Sequence, residues 1–202
     1  MVKVETLKRA VSVPLKVLLQ FADYVGLDRY SQQTMNRHFP SYVAEFERRY
    51  GHFRNRPELV FEPLGPFTGG EVKDYMVILN TTPQFISMIF MRRDTLRHEL
   101  SHIVINEIVS EVNPDWLFLE DGNVMVQTGM ALQGHVIMEG CADYLMNQNG
   151  GKSVSYPAEY FFVKPILDRR GMRDGIEKLL QQPPTNEELK KPENYYQRLG
   201  LK

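Results

Sequence analysis

The sequence predicts an α+β fold that is predominantly helical, with a small β-sheet packed on one central helix. Apolar residues recur at three- and four-residue spacing over most of the chain, and β-like runs are few and short. Hydrophobic residues make up 43% against 24% charged, the balance of a packed globular chain. At 202 residues the chain suffices for one domain of ordinary size, or for a domain with a helical appendage. The organisation expected is a helical N-terminal region over 1–56 and a second region over 57–202, with one continuous domain as the alternative.

Leu7, Val11, Leu15, Leu18 and Ala22 lie at helical spacing, so a first helix is expected over residues 3–25, with Gly26 suited to its end. A second is expected from Ser31 toward Tyr50, disturbed at Pro40. Pro57 to Gly70 holds three prolines and three glycines and reads as a turn-rich connector. Tyr75 to Leu79 (YMVIL) and Gln84 to Met91 (QFISMIFM) read as strands. Asp94 can cap a helix that runs to Val112, where Asn113-Pro114 stops it. Apolar residues lie on both sides of that helix, Ile105, Val109 and Val112 against Leu96, Leu100, Ile103 and Val104, so it is expected to be buried. Strand-like pieces around Trp116 to Leu119 and Val124 to Gln127 flank an Asp121-Gly122-Asn123 turn. Met130 to Gln148 is expected to form a helix ended by Asn149-Gly150-Gly151. Helices over Glu159 to Arg169 and Gly175 to Leu180 follow, then a Pro-rich tail from Pro183 to Leu199.

The net charge is -1, from 24 basic and 25 acidic residues, so no overall field favours a phosphate backbone and no nucleic-acid partner is expected. The basic run Arg48 to Arg56 reads as a solvated helix end and loop. A single cysteine, Cys141, excludes an intrachain disulfide and a cysteine-rich zinc site, and reads as a small core residue. No run of eighteen apolar residues exists, so no membrane span is expected. The early apolar stretch Val11 to Leu19 is broken by Pro14 and Lys16 and lacks a cleavage pattern, which points to a cytoplasmic protein, or a secreted one had a leader been removed. The sequence assigns no oligomeric state.

His98-Glu99-Leu100-Ser101-His102 is an H-E-x-x-H motif. Helical geometry puts residues four apart on one face, so both imidazoles reach one point. Two neutral nitrogen donors one turn apart suit zinc, which holds them at about 2.0 to 2.1 Å. Glu99 lies beside that face, where its carboxylate can take a proton from a water held by the ion and pass it to a leaving group. The plain alternative makes the two histidines core residues and Glu99 a surface acid, but such groups inside a buried helix would need other partners to offset desolvation. Glu107, five residues past His102, projects to the far side of the helix and reads as a solvated acid.

A catalytic zinc takes three protein ligands and leaves one position open. The helix over Met130 to Gln148 offers His135 and Glu139 one turn apart on one face, and either could reach the ion. With H-E-x-x-H followed by Met138-Glu139-Gly140-Cys141-Ala142-Asp143 on a later helix, the chain resembles the gluzincin metallopeptidases, the thermolysin-like and aminopeptidase-like clans, over about residues 94–148. The resemblance implies a zincin-like catalytic domain over 57–202 that hydrolyses bonds in a peptide or protein substrate. It implies one Zn2+ ion held by His98, His102 and Glu139, Glu99 as general base, and Asp143 accepting a hydrogen bond from the free ring nitrogen of His98. After His102 the chain reads IVINEIV rather than H-x-x-G-x-x-H, which disfavours a metzincin.

In gluzincins a tyrosine or histidine commonly donates to the developing oxyanion. The run YPAEYFFV at 156–163, followed by Pro183-Pro184-Thr185 and Pro192-Glu193-Asn194-Tyr195, is similar to the C-terminal pattern of small gluzincin-like proteins. Glu159 stands where they usually carry glycine and Lys191 where they often carry histidine. On that pattern Tyr156 is the first candidate donor and Tyr160 the second, with His135 lining the cleft or helping to bind the transition state. An extended substrate needs an edge strand before the active-site helix, and Gln84 to Ile89 is expected to supply it. Two other readings remain at this point. One is a catalytically weak zinc-binding regulatory or interaction domain, against which the intact Glu99 argues, because a structural site needs no base. The other is a helical interaction protein in which the motif is accidental.

Overall fold

A computed structural model describes residues 27–62, 69–81, 89–112, 131–151 and 154–201. The helix expected over 3–25 with its Gly26 end, the strand-like pieces between 116 and 127, and Gln84 to Met88 lie outside the described residues. What is described is mostly helical with one three-stranded sheet, as the patterning predicts. Among the described residues no helix is long and apolar enough to cross a membrane.

Helix α1 runs Leu27–Tyr50 and buries Met35, Phe39, Tyr42 and Phe46, one stripe at helical spacing. Pro40, where a disturbance is expected, lies inside it without ending it. A proline in a helix interior costs about 3 kcal/mol, and burying each large apolar side chain returns about 1.5 to 3 kcal/mol, so the stripe outweighs the lost hydrogen bond.

The connector expected from Pro57 contains strand β1, Glu58–Glu62, which the proline and glycine count concealed. Strand β2 (Gly70–Lys73) and strand β3 (Met76–Asn80) form a hairpin closed at Asp74-Tyr75, where Asp74 takes φ 54. Asp tolerates this left-handed conformation better than most residues. The strand expected over Tyr75 to Leu79 is thus displaced by one residue, because Tyr75 is spent on the turn. The sheet order is β1-β3-β2, with β1 parallel and β2 antiparallel to β3. Central β3 buries Val77 through Asn80 consecutively, as a strand covered on both faces must, while β2 is an edge among the described residues.

Helix α2, Ile89–Val112, is the axis of the fold, and the Asn113-Pro114 stop expected after it lies outside the described residues. Its N-terminal end differs. Residues 89–91 are helical rather than the end of a strand, and Asp94 sits within the helix, 3.7 Å from Arg97, instead of capping it. A short apolar run without glycine or proline does not distinguish a strand from a buried helix, and here its last three residues are helix. Leu96, Leu100, Ile103 and Ile105 are fully or almost fully buried, so both sides of α2 face protein.

Helix α3, Ala131–Gln148, ends in a Schellman motif: Gly151 N–H reaches Met146 O at 3.0 Å, Gly150 N–H reaches Asn147 O at 3.2 Å, and Gly150 takes φ 79. Helix α4, Pro157–Arg170, packs on α3 so closely that a Cβ on Gly140 would lie 2.5 Å from the Glu159 carbonyl oxygen. Glycine at 140 is what lets the two backbones meet. Helix α5 (Met172–Gln181) follows, and the expected Pro-rich tail folds into α6 (Asn186–Lys190) and α7 (Pro192–Arg198). Thr185 and Glu188 form a capping box for α6. Tyr195 is fully buried, stacks on Phe162 at 5.4 Å and donates its hydroxyl to Gln182 O at 2.7 Å. The tail is therefore part of the core, since one continuous apolar cluster runs from Met35 to Leu199.

Candidate metal centre

His98 and His102 project from one face of α2, and Glu139 meets them from α3. The three ligand atoms converge: His98 Nε2 is 3.0 Å from Glu139 Oε2 and 3.1 Å from His102 Nε2, and His102 Nε2 is 3.5 Å from Glu139 Oε2. Donors held at about 2.0 to 2.1 Å from one ion at tetrahedral angles stand about 3.3 to 3.4 Å apart. The observed separations bracket that spacing, so this His-His-Glu group can hold a metal ion. The imidazole planes are 81° apart, which lets both nitrogens aim at one point although the rings share a helix face.

The tautomer of His98 is set from behind. Asp143 is fully buried one turn after Glu139; its Oδ1 lies 2.9 Å from His98 Nδ1, and its Oδ2 accepts the Tyr156 N–H at 2.6 Å. An ionised carboxylate only accepts, so Nδ1 keeps a proton, and Nε2 is the nitrogen that would give its lone pair to a metal ion. Burial by itself would lower the pKa of His98, but the hydrogen bonds to Asp143 and Glu139 lift it to about 10. Glu139 is the other half of that interaction. Burial would raise its pKa, and the two imidazoles hold it well below the usual carboxylate range instead. In the metal-free protein a proton on His98 supplies the positive charge that these carboxylates require.

Glu99 is buried, 6% exposed, and burial raises its pKa against the opposing effect of His102 and His98. It is covered by the sheet edge: a Cβ on Gly70, the first residue of β2, would stand 2.9 Å from both Cγ and Oε1 of Glu99. In the sequence Gly70 reads only as the end of a connector. Its signal was the Gly69-Gly70 pair opening an alternating run that leads into Asp74, a hairpin pattern hidden by the prolines before it.

Tyr156 stands at the N-terminal end of α4, with its ring 5.8 Å from that of His98 and 5.3 Å from that of His135. Burial, then the Glu139 and Glu99 carboxylates, push its hydroxyl up to about 12, so it stays a proton donor across the neutral range. The other sequence candidates are not among the converging ligand atoms. His135 is not part of the converging ligand group; it is 45% exposed, with Nε2 3.8 Å from Glu159 Oε1. Tyr160 packs in the core beside Tyr144, with centroids 6.5 Å apart, which gives it a structural place rather than one at the ligands. Glu107 is no free solvated acid: its Oε1 accepts from Arg54 N–H at 2.7 Å and Tyr75 O–H at 2.9 Å, tying the hairpin turn to α2. Cys141 is buried, as expected of a core residue.

No family model, curated protein or solved structure matches this chain.

Proposed function

We propose that this chain is a zinc-dependent metallopeptidase of the gluzincin kind, built on a zincin-like arrangement of sheet, active-site helix and ligand helix. The observation that carries the reading is the convergence of His98, His102 and Glu139 at tetrahedral donor spacing with a buried carboxylate, Glu99, one residue from the first ligand. Two imidazoles and one carboxylate form the donor set of a catalytic rather than a structural zinc, since they leave a coordination position open. A zinc ion there would supply Lewis acidity, lowering the pKa of a water and polarising a substrate carbonyl.

The chain's own residues divide the remaining work. Asp143 fixes the His98 ring. Glu99, with its pKa raised by burial, is suited to take a proton from the attacking water and return it to the leaving amine. The Tyr156 hydroxyl, protonated through the neutral range, would donate to the oxyanion that develops at the scissile carbonyl. Strand β2, an edge among the described residues, lies against Glu99 at Gly70 and would offer its backbone to an extended peptide.

The test is paired. Purified protein is expected to hold one zinc per chain, and Glu99→Gln to keep that zinc while losing cleavage of a peptide library. Absence of stoichiometric zinc would overturn the metal site. Zinc without cleavage by the wild type would instead leave a zinc-binding domain and remove the peptidase.

A further inference from the structure

On the peptidase reading given above, we propose that Tyr75 and Glu107 are positioning residues for the substrate. Their hydrogen bond pins the β2–β3 hairpin along α2 and so fixes the strand that would receive an extended peptide.

The hairpin meets α2 at two separate points. At its start, Gly70 lies against Glu99, close enough that a Cβ there would stand 2.9 Å from Oε1. At its turn, the Tyr75 O–H donates to Glu107 Oε1 at 2.9 Å. The two contacts are eight positions apart on the helix and five apart on the hairpin. Eight helical residues rise about 12 Å and five extended ones span about 16 Å, so β2 runs lengthwise beside α2, in the same direction. Half-buried Gly70 and Val72 alternate along it with exposed Glu71 and Lys73.

Both partners of the pin are themselves held. Glu107 Oε1 also accepts the Arg54 N–H at 2.7 Å, and Arg54 Nη2 reaches Glu111 Oε1, one turn further along α2, at 2.6 Å. The Tyr75 carbonyl accepts the N–H of Glu58, the first residue of β1, at 2.9 Å. Burial, then the Glu107 carboxylate, push the Tyr75 hydroxyl up to about 12, so the donor keeps its proton through the neutral range. A charge-assisted hydrogen bond thus ties the hairpin turn to the helix that carries His98, Glu99 and His102. A peptide added to a fixed strand gains that binding equally before and in the transition state, which is read in KM rather than kcat.

The test is steady-state cleavage of an extended peptide by the zinc-loaded full chain, beside amide hydrogen exchange over residues 70–76. Tyr75→Phe keeps the ring and removes only the hydroxyl. It is expected to raise KM about tenfold, with kcat and zinc content near wild type and faster exchange in β2. Glu107→Ala should do the same, and Glu107→Gln, which keeps an acceptor oxygen, should restore most of the loss. Wild-type KM in Tyr75→Phe, a loss carried by kcat instead, or Glu107→Gln as impaired as Glu107→Ala overturns the proposal while leaving the peptidase in place. Unchanged exchange in β2 overturns it whether or not the protein cleaves peptides. A wild type that cleaves none removes the peptidase reading, and this role in substrate binding with it.

Discussion

An Asp143→Asn substitution removes one charge and one acceptor from the floor of the ligand cluster. Each Asp143 oxygen already takes a donor, Oδ1 from His98 Nδ1 at 2.9 Å and Oδ2 from Tyr156 N–H at 2.6 Å, and the residue is fully buried. Asparagine offers one oxygen and one NH2 group, so either way round, one of those donors faces another donor. With the oxygen toward His98, the start of α4 loses its tie at Tyr156. With the oxygen toward Tyr156, Nδ1–H meets the NH2 group and the ring is driven to the other tautomer, which turns Nε2 from acceptor to donor. A buried donor left unpaired costs about 1 to 3 kcal/mol, and losing such an orienting partner lowers metal affinity or activity about 10- to 100-fold. The assay is competition for zinc against a chromogenic chelator near neutral pH, beside thermal unfolding of the metal-free protein. Zinc affinity is expected to fall about tenfold or more, with a lower Tm. A variant that binds zinc like the wild type would refute the claim that Asp143 sets the His98 ring.

Other expectations follow from the same geometry. Glu139→Ala should weaken zinc binding by an order of magnitude or more, while His135→Ala leaves it unchanged; the reverse order in a chelator competition would reinstate His135 as the ligand. Gly70→Ala places a methyl group 2.9 Å from the flexible end of Glu99, so peptide cleavage should drop while zinc content and Tm stay near wild type. Full activity in Gly70→Ala would separate β2 from the working position of Glu99. The pH dependence of metal-free stability has a definite sign. Because the folded pKa of His98 is lifted from 6.5 to about 10, its stabilising charge is complete below the lower value and is lost as pH rises through the higher one. Melting of zinc-free protein across that window should show a falling Tm, much reduced in Asp143→Asn; a flat profile would contradict the assigned charge state.

The local parts of the fold were legible in the chain because their signals are local. Apolar spacing gave both buried sides of α2, and Asn149-Gly150-Gly151 announced the Schellman end of α3. Errors fell where neighbouring signals compete. Prolines and glycines masked β1, and an apolar run leading into Asp94 read as a strand when its last part is helix. The tail reads only as Pro-rich by composition, yet Tyr195 is among the largest fully buried side chains.

At the site the division is sharper. By itself, the sequence determined that His98 and His102 share a face, that Glu99 stands beside them and that His135, Glu139 and Asp143 follow one another at one-turn intervals, because helical rise and twist are the same in every helix. Which of those three meets the imidazole pair depends on how α3 lies against α2, and no local spacing encodes that. Tertiary packing turned Glu139 to the ligand cluster and Asp143 to the back of His98, and left His135 half-exposed beside Glu159. It also brought Gly70 over Glu99 from a strand 29 positions earlier in the numbering. Burial is a property of the assembled core, and burial is what raises the pKa of Glu99, so this part of the chemistry arises only once the helices and the sheet have packed together.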